Sequence, residues 1–290
     1  MGLINSLILA ATLDWLPRIP FGDYVEAFVD WLIDNAAGLI GVVRSLIEVM
    51  LDTWLWVFGL IPAVLFILLI TAFAFWISKK KNSYGLPIFV FIGLIFIASI
   101  DYWEYLIETL ALVVTAGIIS VVIGVPLGIL MSKSNLMQSI ITPILDFMQT
   151  MPAFVYLIPA VAFFSIGMVP GVVASVIFAM PPTVRFANLG IRQVPTEIIE
   201  ASDSFGSTPW QKLFKVQLPM AKVTIMAGIN QTIMLALSMV VIAAMIGADG
   251  LGREVYYAVG RNDISQGFEA GIAIVILAII LDRLTQSVNK

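Results

Sequence analysis

Few side chains in this sequence could do chemistry, and most of them sit in two places. The first is a set of polar residues inside long apolar runs: Asp146, Gln149 and Thr150 just ahead of Met151-Pro152, and Asn230, Gln231 and Ser238 further on. A carboxylate or amide turned toward lipid is left unsolvated, so such residues either line a polar path or bond to a neighbouring helix. Asp146 has three readings: it lines a polar cleft, it snorkels to the interface, or it pairs with Arg185 on the adjacent run. For Asn230, Gln231 and Ser238, interhelical hydrogen bonding is the simpler role for at least one. The second place is the polar stretch from Glu197 to Pro219, set in an otherwise apolar half of the chain.

Most catalytic chemistry is excluded by what is missing. The 290 residues contain no His and no Cys, which removes the Ser-His-Asp arrangement, the usual zinc ligands and the commonest general base. No G-x-x-x-x-G-K-[ST] phosphate loop occurs, so any ATP that is consumed is hydrolysed by another chain. No catalytic residue, metal ligand or cofactor is therefore assigned to this one.

The elements that must position these residues are membrane spans. Of the chain, 60% is apolar and 12% charged, too little polar surface to solvate a globule of this size. The sequence reads as an all-α polytopic membrane protein. Apolar runs of roughly 20 residues give seven candidate spans, at 54–77, 86–100, 107–131, 137–166, 171–193, 222–247 and 268–287. If they alternate, Lys79, Lys80, Lys81, Lys133, Arg192, Lys212, Lys215, Lys222, Arg283 and Lys290 collect on one side, which the positive-inside rule makes the cytoplasm. The other side collects Asp14, Asp34, Asp101, Glu104, Asp249, Glu254 and Asp263, with Arg18, Arg44, Arg253 and Arg261. The N-terminus is then outside and Lys290 inside.

Residues 1–52 read as an external amphipathic segment. Asp23, Glu26, Asp30, Asp34, Arg44, Ser45, Glu48 and Asp52 form a stripe at near-helical spacing, opposite Phe28, Trp31, Leu32, Leu39, Val43, Leu46 and Met50. Burying Asp30 and Asp34 at mid-bilayer would cost about 2.5–3.5 kcal/mol each, which favours a helix lying on the outer leaflet. Residues 53–105 then form two accessory spans, and 106–290 a five-span core with the polar stretch at 196–219 on its cytoplasmic side. Gly117, Gly124 and Gly128 recur at intervals that suit close helix packing. Phe147, Phe154, Tyr156, Phe163 and Phe164 could cage a cation, but packing explains them as well. The three glycines of Gly247-Ala248-Asp249-Gly250-Leu251-Gly252 permit a sharp external re-entry.

The polar stretch reads as two short helices meeting at an elbow. Thr196 is placed to cap the first, with Glu197 and Glu200 near the positive end of its dipole. Gly206 ends it, in the left-handed conformation that glycine takes without strain. Thr208, Pro209 and Gln211 supply a capping box for the second, which Pro219 is expected to close. The spacing of Glu200, Ala201, Ser202, Gly206, Val216, Leu218 and Pro219 resembles the cytoplasmic signature of ABC-importer permeases: Glu-Ala-Ala, three residues, Gly, nine residues, Ile, one residue, Leu-Pro. Ser202 and Val216 are the departures. The runs 146–152, 181–185 and 230–239 are similar to the glycine betaine/proline subgroup, and the closer likeness covers roughly 107–288.

This resemblance implies a type I ABC-importer permease fold in the bacterial cytoplasmic membrane. It also implies that the seven elbow residues couple the chain to ATPase subunits. Two such subunits would bind ATP and Mg, and a second permease copy would complete a homodimer. A solute-binding protein, or a domain fused after Lys290, would deliver a glycine betaine or proline-type osmoprotectant. No nucleic acid is expected as a partner. The competing readings are a permease of the same superfamily for methionine or another amino acid, and a secondary transporter, which would leave the elbow without a task.

Overall fold

A computed structural model describes residues 19–79 and 84–288 of the protein. The expected contributions of Asp14, Arg18, Lys80, Lys81 and Lys290 lie outside the described residues. Among those described, every regular element is helical.

The chain divides into two compact units, Met1–Val42 and Val43–Lys290. The described part of the first unit is helix with most side chains exposed. Its Phe28 and Trp31 rings stack 6.3 Å apart, and Asn35 Nδ2 donates to the Trp31 carbonyl at 2.7 Å.

Helix α1 (Phe21–Gly59) passes through the unit boundary and on beyond residue 52. It stops at Gly59-Leu60-Ile61-Pro62, and α2 (Ala63–Lys79) leaves at a bend of 96°. The expected single span over 54–77 is therefore corrected. Pro62 disfavours a helical Ile61 and has no N–H to continue the ladder, so the apolar run breaks in its first third and α2 carries the rest. The aromatic series Trp54–Phe58–Phe66–Trp103, with centroids 5.3, 6.0 and 5.5 Å apart, packs across the bend.

Next come α3 (Gly85–Ser99), α4 (Trp103–Lys133) and α5 (Asn135–Thr150). A 3₁₀ turn (Ala153–Tyr156) leads to α6 (Leu157–Phe164). The run expected to span 137–166 is thus broken, at a bend of 108°. Met151-Pro152 is the cause, since Pro152 has no N–H to give and disfavours a helical Met151. The remaining helices are α7 (Met168–Arg192), α8 (Thr196–Ser204), α9 (Pro209–Lys212), α10 (Leu218–Ala244), α11 (Leu251–Arg261) and α12 (Ile264–Val288), with a π-helical segment (Leu213–Gln217) joining α9 to α10. Of the seven expected spans, four correspond to unbroken helices long and apolar enough to cross a bilayer: α4, α7, α9 through α10, and α12. Counting each bent pair as one broken span brings the number to six, and α3, with 15 residues, is a shorter apolar helix.

Helix α7 is the centre of the bundle and packs along both α4 and α10. Its Val172, Ala174, Ala179, Val184 and Ala187 are fully buried, as are Leu112 and Val113 of α4 and Met239 and Val240 of α10. Small residues allow the close approach. A Cβ on Gly128 would lie 2.6 Å from the Val184 carbonyl oxygen, and one on Gly124 would lie 3.0 Å from Thr183 Cγ2. At Gly117 the nearest atom is 3.8 Å away, so only the last two of the three glycines are required by packing. Pro126, Pro143, Pro181 and Pro182 sit inside helices, tolerated where neighbouring helices cover the freed backbone groups.

Candidate functional site

The elbow is built from local bonds. Helix α8 starts on the Pro195 carbonyl, which accepts from the N–H groups of Ile198 at 3.2 Å and Ile199 at 3.3 Å. No side chain caps it, and Thr196 is its first residue rather than its cap. Pro195 holds the cap position, its carbonyl accepting the first helical bonds, so Thr196 falls inside the helix and the expected Thr196 cap does not form.

The other end of α8 closes in a Schellman motif. Gly206 has φ of 74°; its N–H donates to the Asp203 carbonyl at 2.9 Å, and the Ser207 N–H to the Ser202 carbonyl at 3.2 Å. The capping box then forms. Thr208 N–H donates to Gln211 Oε1 at 2.9 Å, Gln211 N–H donates to Thr208 Oγ1 at 3.3 Å, and Pro209 takes the first helical position. Lys212 Nζ reaches across the elbow to Asp203 Oδ1 at 2.5 Å.

Pro219 does not close the second arm. The chain runs on through the π segment into α10, so that Pro209–Ala244 is one span of 36 residues. Pro219 has no N–H to offer the Lys215 carbonyl, and the widened π turn absorbs the missing bond. Lys133, the last residue of α4, donates to Gln217 Oε1 at 2.8 Å and ties the π segment to the core. Leu213 packs beside it with Ala187, Ile191, Ala221 and Ile225. Arg192 makes a second tie at this end of the bundle, donating to Asn188 Oδ1, the Met131 carbonyl and Asn135 Oδ1 at 3.0, 2.8 and 2.9 Å.

Of the seven signature residues, Glu200, Ala201, Gly206 and Pro219 are exposed, Val216 and Leu218 half-buried and Ser202 buried. Sequence reasoning passed over three neighbours. Phe205 is 91% exposed, Trp210 70% and Phe214 57%, and the last two rings stack at 5.5 Å and 10°. Their i, i+4 spacing beside a capping box was a readable signal. So much apolar surface on a polar elbow is of the kind that a partner protein or the membrane covers.

The polar residues of the bundle separate into three kinds. Asp146 pairs with Arg185 of α7, Oδ1 to Nη2 at 2.5 Å, with 55% and 39% of the two side chains exposed. Gln149, Thr150, Gln231 and Ser238 are exposed; Thr150 and Ser238 bond only backward, to the carbonyls of Phe147 and Met234. Asn230 is committed between helices: its Nδ2 donates to Asp282 Oδ1 at 2.8 Å, and its Oδ1 accepts from Thr285 Oγ1 at 2.5 Å. Asp282 and Thr285 were missed, as was the buried contact of Thr183 with Thr232 at 2.7 Å. Their partners lie about fifty residues away, and nothing local announces them.

Of the five aromatic residues considered for a cage, only Phe163 and Phe164 meet, edge to face at 6.5 Å. Phe147 and Phe154 are exposed, while Tyr156 and Phe164 belong to the core. At the opposite end of the bundle, Gly247 and Gly250 take φ of 85° and 110°. Thr109 Oγ1 accepts from Leu251 N–H at 2.8 Å and holds the re-entry. Arg253 pairs with Asp249 and lies 5.7 Å over the Tyr105 ring. Burial works against its charge, but Asp249, Glu108 and Glu254 outweigh it and raise its pKa above the usual value. No group of three or more potential metal ligands occurs among the described residues.

Residues 120–290 match the family described as binding-protein-dependent transport system inner membrane component. The glycine betaine/carnitine transport permease protein GbuB of Listeria monocytogenes is 64% identical over 275 residues, 95% of this chain and 97% of that protein. The glycine betaine transport system permease protein OpuAB of Bacillus subtilis is 54% identical, with 96% and 97% covered. The glycine betaine/proline betaine transport system permease protein ProW of Escherichia coli is 48% identical, with 94% and 76% covered. Among solved structures, two inward-facing crystal forms of the MetNI methionine ABC transporter give TM-scores of 0.58 and 0.59 at 24% identity. They cover 63% and 65% of this chain and 91% and 94% of theirs. That likeness is one of fold and is silent on the solute.

Proposed function

This chain belongs to the family of binding-protein-dependent transport system inner membrane components and has the type I ABC-importer permease fold, and from that premise we propose that it is the membrane subunit of an ATP-driven importer of glycine betaine and related compatible solutes. The solute class rests on three relatives at 48–64% identity, each named for glycine betaine transport and matched over at least three quarters of its length. Likeness to a methionine transporter extends to the fold alone and does not favour an amino-acid substrate.

The observation that carries the coupling role is the elbow. It is capped at both sides of Gly206, so it moves as a rigid piece, and it presents Phe205, Trp210 and Phe214 for a partner to cover. That partner is an ATPase subunit, which binds ATP and Mg; this chain supplies no hydrolytic group. Two permease copies and two ATPase subunits form the transporter. Closure of the ATPase pair on ATP draws the two elbows together, and the Lys133–Gln217 and Arg192 ties pass the displacement into α4 and α7. The cores then tilt between inward-open and outward-open states.

The solute crosses between the two copies, past the exposed Asp146, Gln149, Thr150, Gln231 and Ser238, whose side chains keep bonding capacity to spare. Asn230 spends both ends of its amide on α12 and positions that helix. In this arrangement the helix over residues 21–52 lies on the outer leaflet, the re-entry at Gly247–Gly252 faces the solute-binding protein, and the elbow is cytoplasmic. Isolating the native complex from membranes tests the assembly: an ATPase chain and a solute-binding protein are expected with it in stoichiometric amounts. A chain that transports while accompanied by neither would refute the proposal.

A further inference from the structure

Between α3 and α12 lie grooves that neither the elbow nor the polar residues of the bundle line. Two of them adjoin, sharing Gly85 and Phe89, with volumes of about 370 and 440 Å³. One wall is the α3 face Gly85, Phe89, Ile92 and Phe96; the other is the α12 face Ile272, Ile276, Ile279 and Arg283. Both faces follow helical spacing and run antiparallel, so Gly85 stands near Arg283 and Phe96 near Ile272. The floor is closed where Gly93 admits Ile276, whose Cγ2 would lie 2.6 Å from an added Cβ. Eleven residues of helix rise about 16 Å, which is about half of a 30 Å hydrocarbon core and so the depth of one leaflet.

The chemistry changes at one end only. Every groove residue but one is apolar or glycine, and the exception is Arg283, at the mouth. The other described arginines each have a partner: Arg44 with Glu48, Arg185 with Asp146, Arg192 with Asn188 and Asn135, Arg253 with Asp249, and Arg261 over the Tyr257 ring. Arg283 has no hydrogen bond, ion pair or ring contact among the described residues. The adjacent Asp282 forms no ion pair with it; that carboxylate accepts from Asn230 and Gln286 instead.

We propose that this groove is a binding site for one anionic phospholipid of the inner leaflet, with its phosphate on the Arg283 guanidinium and an acyl chain lying along α3 and α12 toward Phe96 and Ile272. Guanidinium matches phosphate bidentately and is weakly hydrated, so it suits this place better than an ammonium group. Lipids of the inner leaflet also meet a cation there at the depth of their headgroups. A snorkelling arginine would need only water, whereas here an apolar channel of one leaflet's length leads away from it. The inference rests on the orientation that puts Arg283 at the cytoplasmic face.

The test counts lipids on the intact purified transporter by native mass spectrometry, with phosphatidylglycerol and phosphatidylcholine of equal chain length as probes. Wild type should retain one phosphatidylglycerol per permease chain in preference to phosphatidylcholine. Arg283→Gln should weaken that retention about tenfold, Arg283→Lys less, and Ile92→Trp should reduce it with the charge intact. Lys222→Gln, at an exposed cation outside the groove, should leave it unchanged. Equal retention by wild type and Arg283→Gln would overturn the proposal, as would equal binding of the two lipids or an equal loss with Lys222→Gln. If Ile92→Trp instead disrupts pairing of permease copies with lipid retention unaltered, the groove seats protein and the proposal fails. Lipid counting requires no transport, so a failed uptake assay leaves this inference standing, and lost lipid selectivity leaves the transport reading standing.

Discussion

Replacing Gly206 isolates the torsional requirement of the elbow from every other effect. An added Cβ would find nothing within 4 Å, yet φ is 74°, so the whole penalty is conformational. An alanine held in the left-handed region costs about 1 kcal/mol, which lowers the population of the native elbow about fivefold relative to its unwound alternatives. Valine, β-branched and a genuine outlier at positive φ, costs about 2 kcal/mol or more, or about thirtyfold. Helix α8 has nine residues, too few to hold its shape alone, so losing the Schellman bonds unravels its last turn. Asparagine tolerates the conformation and should approach wild type. The expected order of solute-stimulated ATP hydrolysis in the reconstituted complex is therefore Gly, Asn, Ala, Val, with membrane insertion unchanged throughout. Wild-type activity in Gly206→Val would refute a strained, rigid elbow as the coupling element.

Other outcomes follow from the same geometry. Gly128→Ala drives a Cβ into the Val184 carbonyl and Ala187 and should destabilise the bundle by about 1–3 kcal/mol, seen as a lower melting temperature in detergent. Asn230→Leu removes two interhelical bonds to Asp282 and Thr285 and should cost about 0.6–1.7 kcal/mol in the same assay; an unchanged melting temperature would show that the contact is idle. The Asp146–Arg185 pair keeps 55% and 39% of its side chains exposed, so breaking it with Asp146→Asn should cost about 1 kcal/mol or less of stability while slowing uptake. Normal uptake would remove Asp146 from the path. Because the sequence contains no Cys, single cysteines report topology: Ser207→Cys should resist an impermeant thiol reagent in intact cells, and Asp263→Cys should react. Labelling at residue 207 from outside would reverse the orientation.

What could be read in the sequence was local. Gly206, Thr208, Pro209 and Gln211 act within one turn of each other, and their bonds form as their types demand. Pro195 and Pro219 defeated the same reasoning. The first displaced the cap from Thr196, and the second sits in a helix that continues, because a π turn has no composition of its own to announce it. The break at Pro62 was written in Gly59-Leu60-Ile61-Pro62 but hidden by a continuous apolar run, since hydropathy does not record bends. Of the readings open for Asp146, the structure adopts the Arg185 pair, which depends on α5 and α7 meeting across 39 residues of chain. Asp282, Thr183 and Thr232 were illegible for that reason: single polar residues in apolar helices declare a partner only once the helices are packed.

The most direct test of the central claim is uptake of labelled glycine betaine into proteoliposomes holding this chain, its ATPase and its solute-binding protein, with and without the nucleotide on the ATPase side. Uptake that needs ATP and Mg, is blocked by unlabelled glycine betaine, and is untouched by excess methionine is the predicted result. Uptake that persists without ATP, or that methionine abolishes and glycine betaine does not, would contradict it.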